Sequence, residues 1–159
     1  GKSTSDISNE YFENQKGFHK PQLVVINKPS DFIALIKSKI ALVTKTFSDL
    51  IPVVIFYENK ASLDRLSEIL KVENISYGHD GNENNSVMFV AIENISGRSF
   101  PVVMAPLINS TSDNTIYIMI SRAKYDLCLF TGKGTDDNMQ IKKLLSDGFI
   151  SNHKLETSE

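Results

Sequence analysis

The sequence predicts an α/β fold, with one domain over residues 1–150 built on a mostly parallel β-sheet that carries helices on both faces. Three observations carry that expectation. Apolar, β-branched runs of strand length alternate with segments of helical periodicity. The runs "IPVVIFY", "VMFVAI" and "FPVVMAPLI" are apolar nearly throughout, as strands buried on both faces are. Polar clusters such as "NKPSD" and "STSDN" punctuate the runs with turn and cap residues.

The elements follow in order. Thr4 to Asn14 is expected as a helix, with Ser3, Thr4 or Ser5 as its cap, Asp6 in its first turn and Ile7 and Tyr11 on one face. "QLVVI" is a short strand. A second helix begins at Pro29, capped by Ser30, and buries Phe32, Ile33, Leu35, Ile36 and Ile40 up to about Phe47. Ile51 to Tyr57 is a buried strand. Leu63, Leu66, Ile69 and Leu70 mark the next helix. "YGHDGNENNS" is a polar loop, Val87 to Ile92 a strand, "ENISGRS" a loop, and "FPVVMAPLI" a strand with Pro101 near its start. In "TIYIMISRA" two signals conflict. Ile116, Met119, Ile120 and Ala123 have helical spacing, while the β-branched composition favours a strand. Leu127 to Gly132 is strand-like, Asp136 to Ser146 is a last helix, and residues 151–159 form a loose polar tail.

Composition bounds the function. Apolar residues make up 41% and charged residues 23% of 159, and the net charge is −2. That excludes a wholly basic nucleic-acid-binding surface but leaves room for a local groove. No apolar run approaches the roughly 18 residues of a membrane span. The lone cysteine, Cys128, lies in the apolar run "YDLCLF" and reads as a buried thiol. An intracellular, cytoplasmic protein without a membrane partner is expected. A chain opening on Gly-Lys-Ser is also expected to be a fragment of a longer one.

Several stretches spell chemistry. "GKST", Gly1 to Thr4, is how a phosphate-binding P-loop ends, but the strand and first glycine would have to precede it. "VVIFYE", ending at Glu58, is a poor acidic partner for magnesium. "TGKGTDD" lacks P-loop spacing and fits a turn leading to a helix. His19, His79 and His153 are far apart. His79, Asp80 and Glu83 could crowd a cation, though a solvated loop accounts for them more simply, so no metal site is expected. "ISRAKYDL" puts Arg122 and Lys124 at the end of an apolar segment. The arginine is either a phosphate reader beside a sheet edge or a surface residue of an amphipathic element. Sheets of this type place ligands beyond the carboxyl ends of their strands, so the loops after Tyr57, Ile92, Ala105 and Phe130 are the first to examine.

Four stretches in order resemble one family, the superfamily 1 helicases of the UvrD/Rep type, and within them the second RecA-like domain. "IYIMISRAKYDLCLF" resembles the sixth motif, with Arg122, Ala123 and Lys124 on its "RAK". "VMFVAIENISGRSFPVVMAPLI" resembles the fifth, with Gly97, Phe100, Val102, Val103 and Pro106 in register. "PVVIFYENKASLDRLSEILKVENISY" resembles the segment between the fourth and fifth, and "GKSTSDISNEYFEN" the fourth, with Lys2 in place of its arginine.

The resemblance implies a RecA-like domain that meets ATP and Mg²⁺ only together with an N-terminal RecA-like domain of the same parent protein, and that touches single-stranded DNA. It implies Arg122 as the catalytic arginine finger, and Lys2, Gly97 and Arg122 as nucleotide contacts. Ser96, Arg98 and Lys124 would be nucleic-acid contacts. The chain departs from the pattern where the family's "KGLE" reads "SGRS", Ser96 to Ser99, and where its threonine and histidine read Ala91 and Glu93. Two other readings stand beside this one. They are a degenerate helicase-like module used in protein interaction or regulation, and a small P-loop NTPase truncated at its amino end.

Overall fold

The computed structural model describes residues 21–108, 111–132, 139–148 and 150–153. The expected helix at 4–14, Lys2 and the rest of "GKST", and most of "TGKGTDD" lie outside the described residues.

The chain folds into a seven-stranded sheet in which every pairing is parallel. Strand β1 (Gln22–Ile26) leads to helix α1 (Pro29–Thr46), then β2 (Val53–Tyr57) to α2 (Lys60–Val72). Next come β3 (Tyr77–His79), β4 (Val87–Ala91), a short 3₁₀ turn (Ile92–Asn94) and β5 (Phe100–Pro106). Helix α3 (Asp113–Ile120), β6 (Ala123–Gly132), α4 (Met139–Ser146) and β7 (Ser151–His153) complete the described order. Across the sheet the strands run β3-β4-β2-β5-β6-β1-β7.

Each face of the sheet has its own core. Val53, Ile55, Val102, Met104 and Cys128 pack with Phe32, Leu35 and Ile36 of α1 and Leu70 of α2. Val54, Phe56, Met88, Val103 and Leu129 pack with Ile116 and Met119 of α3 and Ile141 and Leu144 of α4. Strands sandwiched this way have no solvent face, which is why their sequences do not alternate.

Local chemistry sets the helix starts. Pro29, with its preset φ, takes the first turn of α1, so the cap is Lys28 rather than the expected Ser30. Oδ2 of Asp31 reaches back and accepts the backbone N–H groups of Asn27 at 2.9 Å and Lys28 at 3.2 Å. Asn59 caps α2 by accepting the Ser62 N–H at 2.9 Å. At α3 the conflict between spacing and propensity resolves to helix. Ser112 accepts the Thr115 N–H at 3.1 Å, and the turn it fixes buries Ile116, Met119 and Ile120. Cap and burial together outweigh a β-branched preference worth tenths of a kcal/mol per residue. Ala123, the fourth residue of that helical spacing, instead opens β6.

Three strand segments differ from expectation. Strand β6 begins four residues earlier than its apolar run suggests, because Lys124 is exposed and Asp126 is buried against a partner from another element. Strand β3 lies inside the stretch expected to be a loop. Its Gly78 is buried beneath the turn that follows, where a Cβ would sit 2.6 Å from Asn85 Nδ2 and 3.0 Å from the Asn82 carbonyl oxygen. Ser151–His153 pairs with β1 as an edge strand, and the residues after it lie outside the described residues.

The partner of Asp126 is Lys39 of α1, whose Nζ donates to Oδ2 at 2.6 Å with both side chains buried. Removing one member of such a pair strands the other charge without water. Lys39→Met is expected to lower unfolding free energy by about 3–5 kcal/mol in urea titrations, whereas Lys39→Met with Asp126→Leu is expected within roughly 1 kcal/mol of wild type or above it. A near-neutral single variant would contradict this account of the pair.

Candidate functional site

The parallel topology makes two links unusually tight. Turn 80–86 joins β3 to its neighbour β4, and crossover 92–99 joins β4 to β5, passing over β2. Each carries the chain from the carboxyl end of the sheet back to the amino end without an α-helix. Ile95, fully buried, fixes the middle of the crossover in the core. Gly97 then takes φ +73°, a left-handed conformation that glycine adopts without steric cost, with open space where a Cβ would be. The Arg98 N–H donates to the Ile95 carbonyl at 3.1 Å and closes the turn.

The crossover ends against the junction of α3 and β6. The Phe100 N–H donates to the Arg122 carbonyl at 2.7 Å, at the head of the β5–β6 ladder. A register shift follows at once, because Phe100 pairs with Ala123 but Val102 with Asp126. Such bulges re-aim side chains at strand ends. Arg122 is half-buried there. Its Nε donates to the Ile118 carbonyl at 3.2 Å and its Nη1 to the Arg98 carbonyl at 3.1 Å. A cation at the carbonyl end of α3 suits the partial negative charge there. The Ile118 carbonyl belongs to α3 and the Arg98 carbonyl to the crossover turn, so the guanidinium plane is held from two elements while Nη2 makes no hydrogen bond among the described residues.

Arg98 faces the neighbouring link. Its Nη1 and Nη2 each donate to one Asp80 oxygen, both at 2.8 Å, and Nη1 also donates to the Asn94 carbonyl at 3.2 Å. The guanidinium lies 5.0 Å from the Phe100 ring centroid, and that ring meets Phe56 edge-on. The Arg98 guanidinium holds the Asp80 carboxyl below the ordinary aspartate range, despite some opposing desolvation. The pair is over a third exposed, so it is worth roughly 0.2–1 kcal/mol of stability.

Ser96, Gly97, Arg98, Arg122 and Lys124 therefore gather at the amino ends of β5 and β6. Ser96, Gly97 and Lys124 are exposed and the two arginines are half-buried. Lys2 lies outside the described residues. A cleft of about 380 Å³ opens beside this group, lined by Ile51, Pro52, Met88, Arg98, Ser99 and Phe100. The opposite, carboxyl end holds a smaller cleft of about 130 Å³ between Tyr57, Glu58, Arg65, Leu107 and Thr131. Burial raises the Glu58 carboxyl above its ordinary value there, and the Thr131 hydroxyl is committed to the Leu107 carbonyl at 2.8 Å. The general preference of parallel sheets points to this second end, but Arg98 and Arg122 stand at the first.

Other candidates carry less. Asp80, one of three residues expected to crowd a cation, has both oxygens on Arg98. Among the described residues no three His, Cys, Asp or Glu side chains gather as a metal site. Burial pushes the Cys128 thiol up to about 12, so it is not a nucleophile at neutral pH. No helix among the described residues is long and apolar enough to cross a membrane. Asp80 as the partner of Arg98 was not legible in sequence. Eighteen residues separate them, and only the opposite charges on two adjacent short links hint at the pairing.

The chain matches no family model, and no curated protein matches it. Solved structures do. The C-terminal domain of a possible DNA helicase from Lactobacillus plantarum aligns with TM-score 0.62 at 15% identity, over 94% of both chains. Dbp5 of S. cerevisiae, bound to RNA and ADP BeF3, aligns with TM-score 0.61 at 16% identity, over 91% of this chain and 44% of its own. Domain 2 of the DEAD-box helicase Mss116p, bound to an RNA duplex, aligns with TM-score 0.55 at 17% identity, over 89% of this chain and 66% of its own. This chain thus spans less than half of the Dbp5 chain. At these identities the likeness is one of fold, and the fold is that of the RecA-like domains in the C-terminal parts of helicases.

Because the folded Asp80 pKa is lowered, its contribution to stability is full above the ordinary aspartate value and is lost as pH falls through the folded value. A carboxyl ¹³C NMR titration is expected to place the Asp80 midpoint below that of an ordinary aspartate. In Arg98→Ala the midpoint should return to the ordinary range, and an unshifted wild-type midpoint would contradict the bidentate pair.

Proposed function

We propose that this chain is the C-terminal RecA-like domain of an ATP-dependent DNA helicase of the UvrD type, working with an N-terminal RecA-like domain of the same parent protein. The observation that carries the proposal is Arg122, held by two backbone carbonyls at the junction of α3 and β6, one residue from the β5–β6 bulge and beside the left-handed turn at Gly97. A guanidinium held in this way, with one amino group making no hydrogen bond among the described residues, can meet charge on a phosphoryl group with little reorganisation.

The fit to a nucleotide is one-sided. This edge provides a positioned cation, a backbone turn open at Gly97, and Ser99 where the family has a ribose-contacting glutamate. Bound with Mg²⁺ between two such domains, ATP supplies the transferable phosphoryl group. Arg122 would face its terminal phosphate, Gly97 would let the backbone approach, and Lys2 would add a point charge without a guanidinium's fork. Crossover 92–99 joins the amino end of the sheet to Ala91 and Glu93 at the carboxyl end. Single-stranded DNA and nucleotide could thus be coupled through one rigid link fixed by Ile95. Ser96, Arg98 and Lys124 are the nucleic-acid contacts of this reading, and the isolated domain would not hydrolyse ATP.

A second reading has an observation of its own. Arg98 is committed to Asp80, and serines stand where the family carries lysine and glutamate. These features favour a helicase-like module kept for protein interaction or regulation. The P-loop reading of "GKST" rests on residues outside those described. One experiment separates the first two. Arg122→Ala in the full-length parent is expected to lower DNA-stimulated ATPase by about 10³-fold. An unaffected rate would remove Arg122 from the chemistry, and a wild-type parent without ATPase would favour the interaction module.

A further inference from the structure

The two tight links are tied together at one point, and that point leads to Arg122. Asp80, in the turn after β3, grips both amino groups of Arg98. The Arg98 side chain lies over Phe100, whose N–H donates to the Arg122 carbonyl. The Arg98 carbonyl in turn accepts from Arg122 Nη1. Arg122 is therefore clasped from residues 98 and 100, on a segment bounded by the left-handed Gly97 and the bulge after Phe100. The Arg98 N–H on the Ile95 carbonyl restrains one side of this residue, and the grip of Asp80 on its side chain is the further restraint on how its carbonyl is turned. On the far side of the contact, the turn is anchored by the Asn82 N–H on the His79 carbonyl and by the packing of Asn82 and Asn85 on Gly78.

We infer that Asp80 is a positioning residue. Through the Arg98 side chain and carbonyl, it holds the Arg122 guanidinium in the plane that leaves Nη2 presented at the amino edge. The relay itself is a property of this chain, and its consequence for turnover rests on the helicase reading. Glu83, on the same turn, adds negative charge near Arg98 but makes no hydrogen bond to it among the described residues. Nothing in this arrangement requires Asp80 to touch a ligand. Its effect is on which orientation of Arg122 is populated.

The test is read first on the 159-residue chain. Hydrogen exchange of the Arg122 Nε–H is followed by ¹⁵N NMR, and the signal is assigned by its loss in Arg122→Lys. Asp80→Asn is expected to speed that exchange by about 1.5- to fivefold, the range that loss of one exposed ion pair allows, with core amides such as those of Val103 and Leu129 unchanged. Arg98→Ala should match it, the double variant should add nothing further, and the swapped pair Asp80→Arg with Arg98→Asp should restore slow exchange. An unchanged Arg122 signal in Asp80→Asn overturns the relay, whatever the ATPase shows. In the full-length parent, Asp80→Asn is then expected to lower kcat by a similar factor with KM for ATP unmoved. If exchange responds but Arg122→Ala leaves the ATPase intact, the relay stands and the helicase reading is the part that falls.

Discussion

The structure depends on the parallel pairing of strands joined by very short links. A parallel connection ordinarily needs a dozen or more residues and a helix to return to the start of the next strand. Here crossover 92–99 must span the sheet from the end of β4 to the start of β5 while passing over β2. Only a nearly direct path fits. Ile95 is driven into the core beside Val54 and Phe56, the backbone reverses at Gly97, and Arg98 and Ser99 emerge at the amino edge. The same edge receives the end of α3. Arg122 and the crossover thus meet because the sheet is parallel and the link is short, without any long-range charge pairing to bring them together.

This constraint gives the two ends of the sheet different side chains. The amino end carries Arg98, Arg122, the bulge and a left-handed glycine, and the carboxyl end carries a small cleft with Arg65 and a partly desolvated Glu58. A single rigid crossover joins them. The buried Lys39–Asp126 pair sits behind the same bulge, on the opposite face of the sheet. A buried ion pair is weak evidence of added stability, but its geometry restricts how β6 can sit against α1.

Much of the fold was legible in the sequence because burial on both faces leaves a plain mark. The apolar runs gave β1, β2, β4 and β5 to within a residue or two, and helical spacing gave α1 and α2. The edge strands β3 and β7 are three residues each and polar, so no periodicity announces them. The start of β6 was hidden by Asp126, whose partner lies 87 positions away. Arg122 was legible as a candidate through its motif, and its two carbonyl partners follow from the fold. The direction of the site was not legible. A general rule of α/β sheets pointed to the carboxyl ends, whereas the resemblance pointed to residues that the topology carries to the amino ends.

The central claim is that the amino edge, and Arg122 within it, faces bound nucleotide. The most direct measurement is a structure of the full-length protein with Mg²⁺ and a non-hydrolysable ATP analogue. The account predicts Arg122 Nη2 within about 2.7–3.2 Å of a terminal phosphate oxygen, with Gly97 and Ser99 lining the same cleft. A nucleotide seated instead at the carboxyl ends beside Glu58 and Thr131, with Arg122 still bonded only to the Ile118 and Arg98 carbonyls, would contradict it.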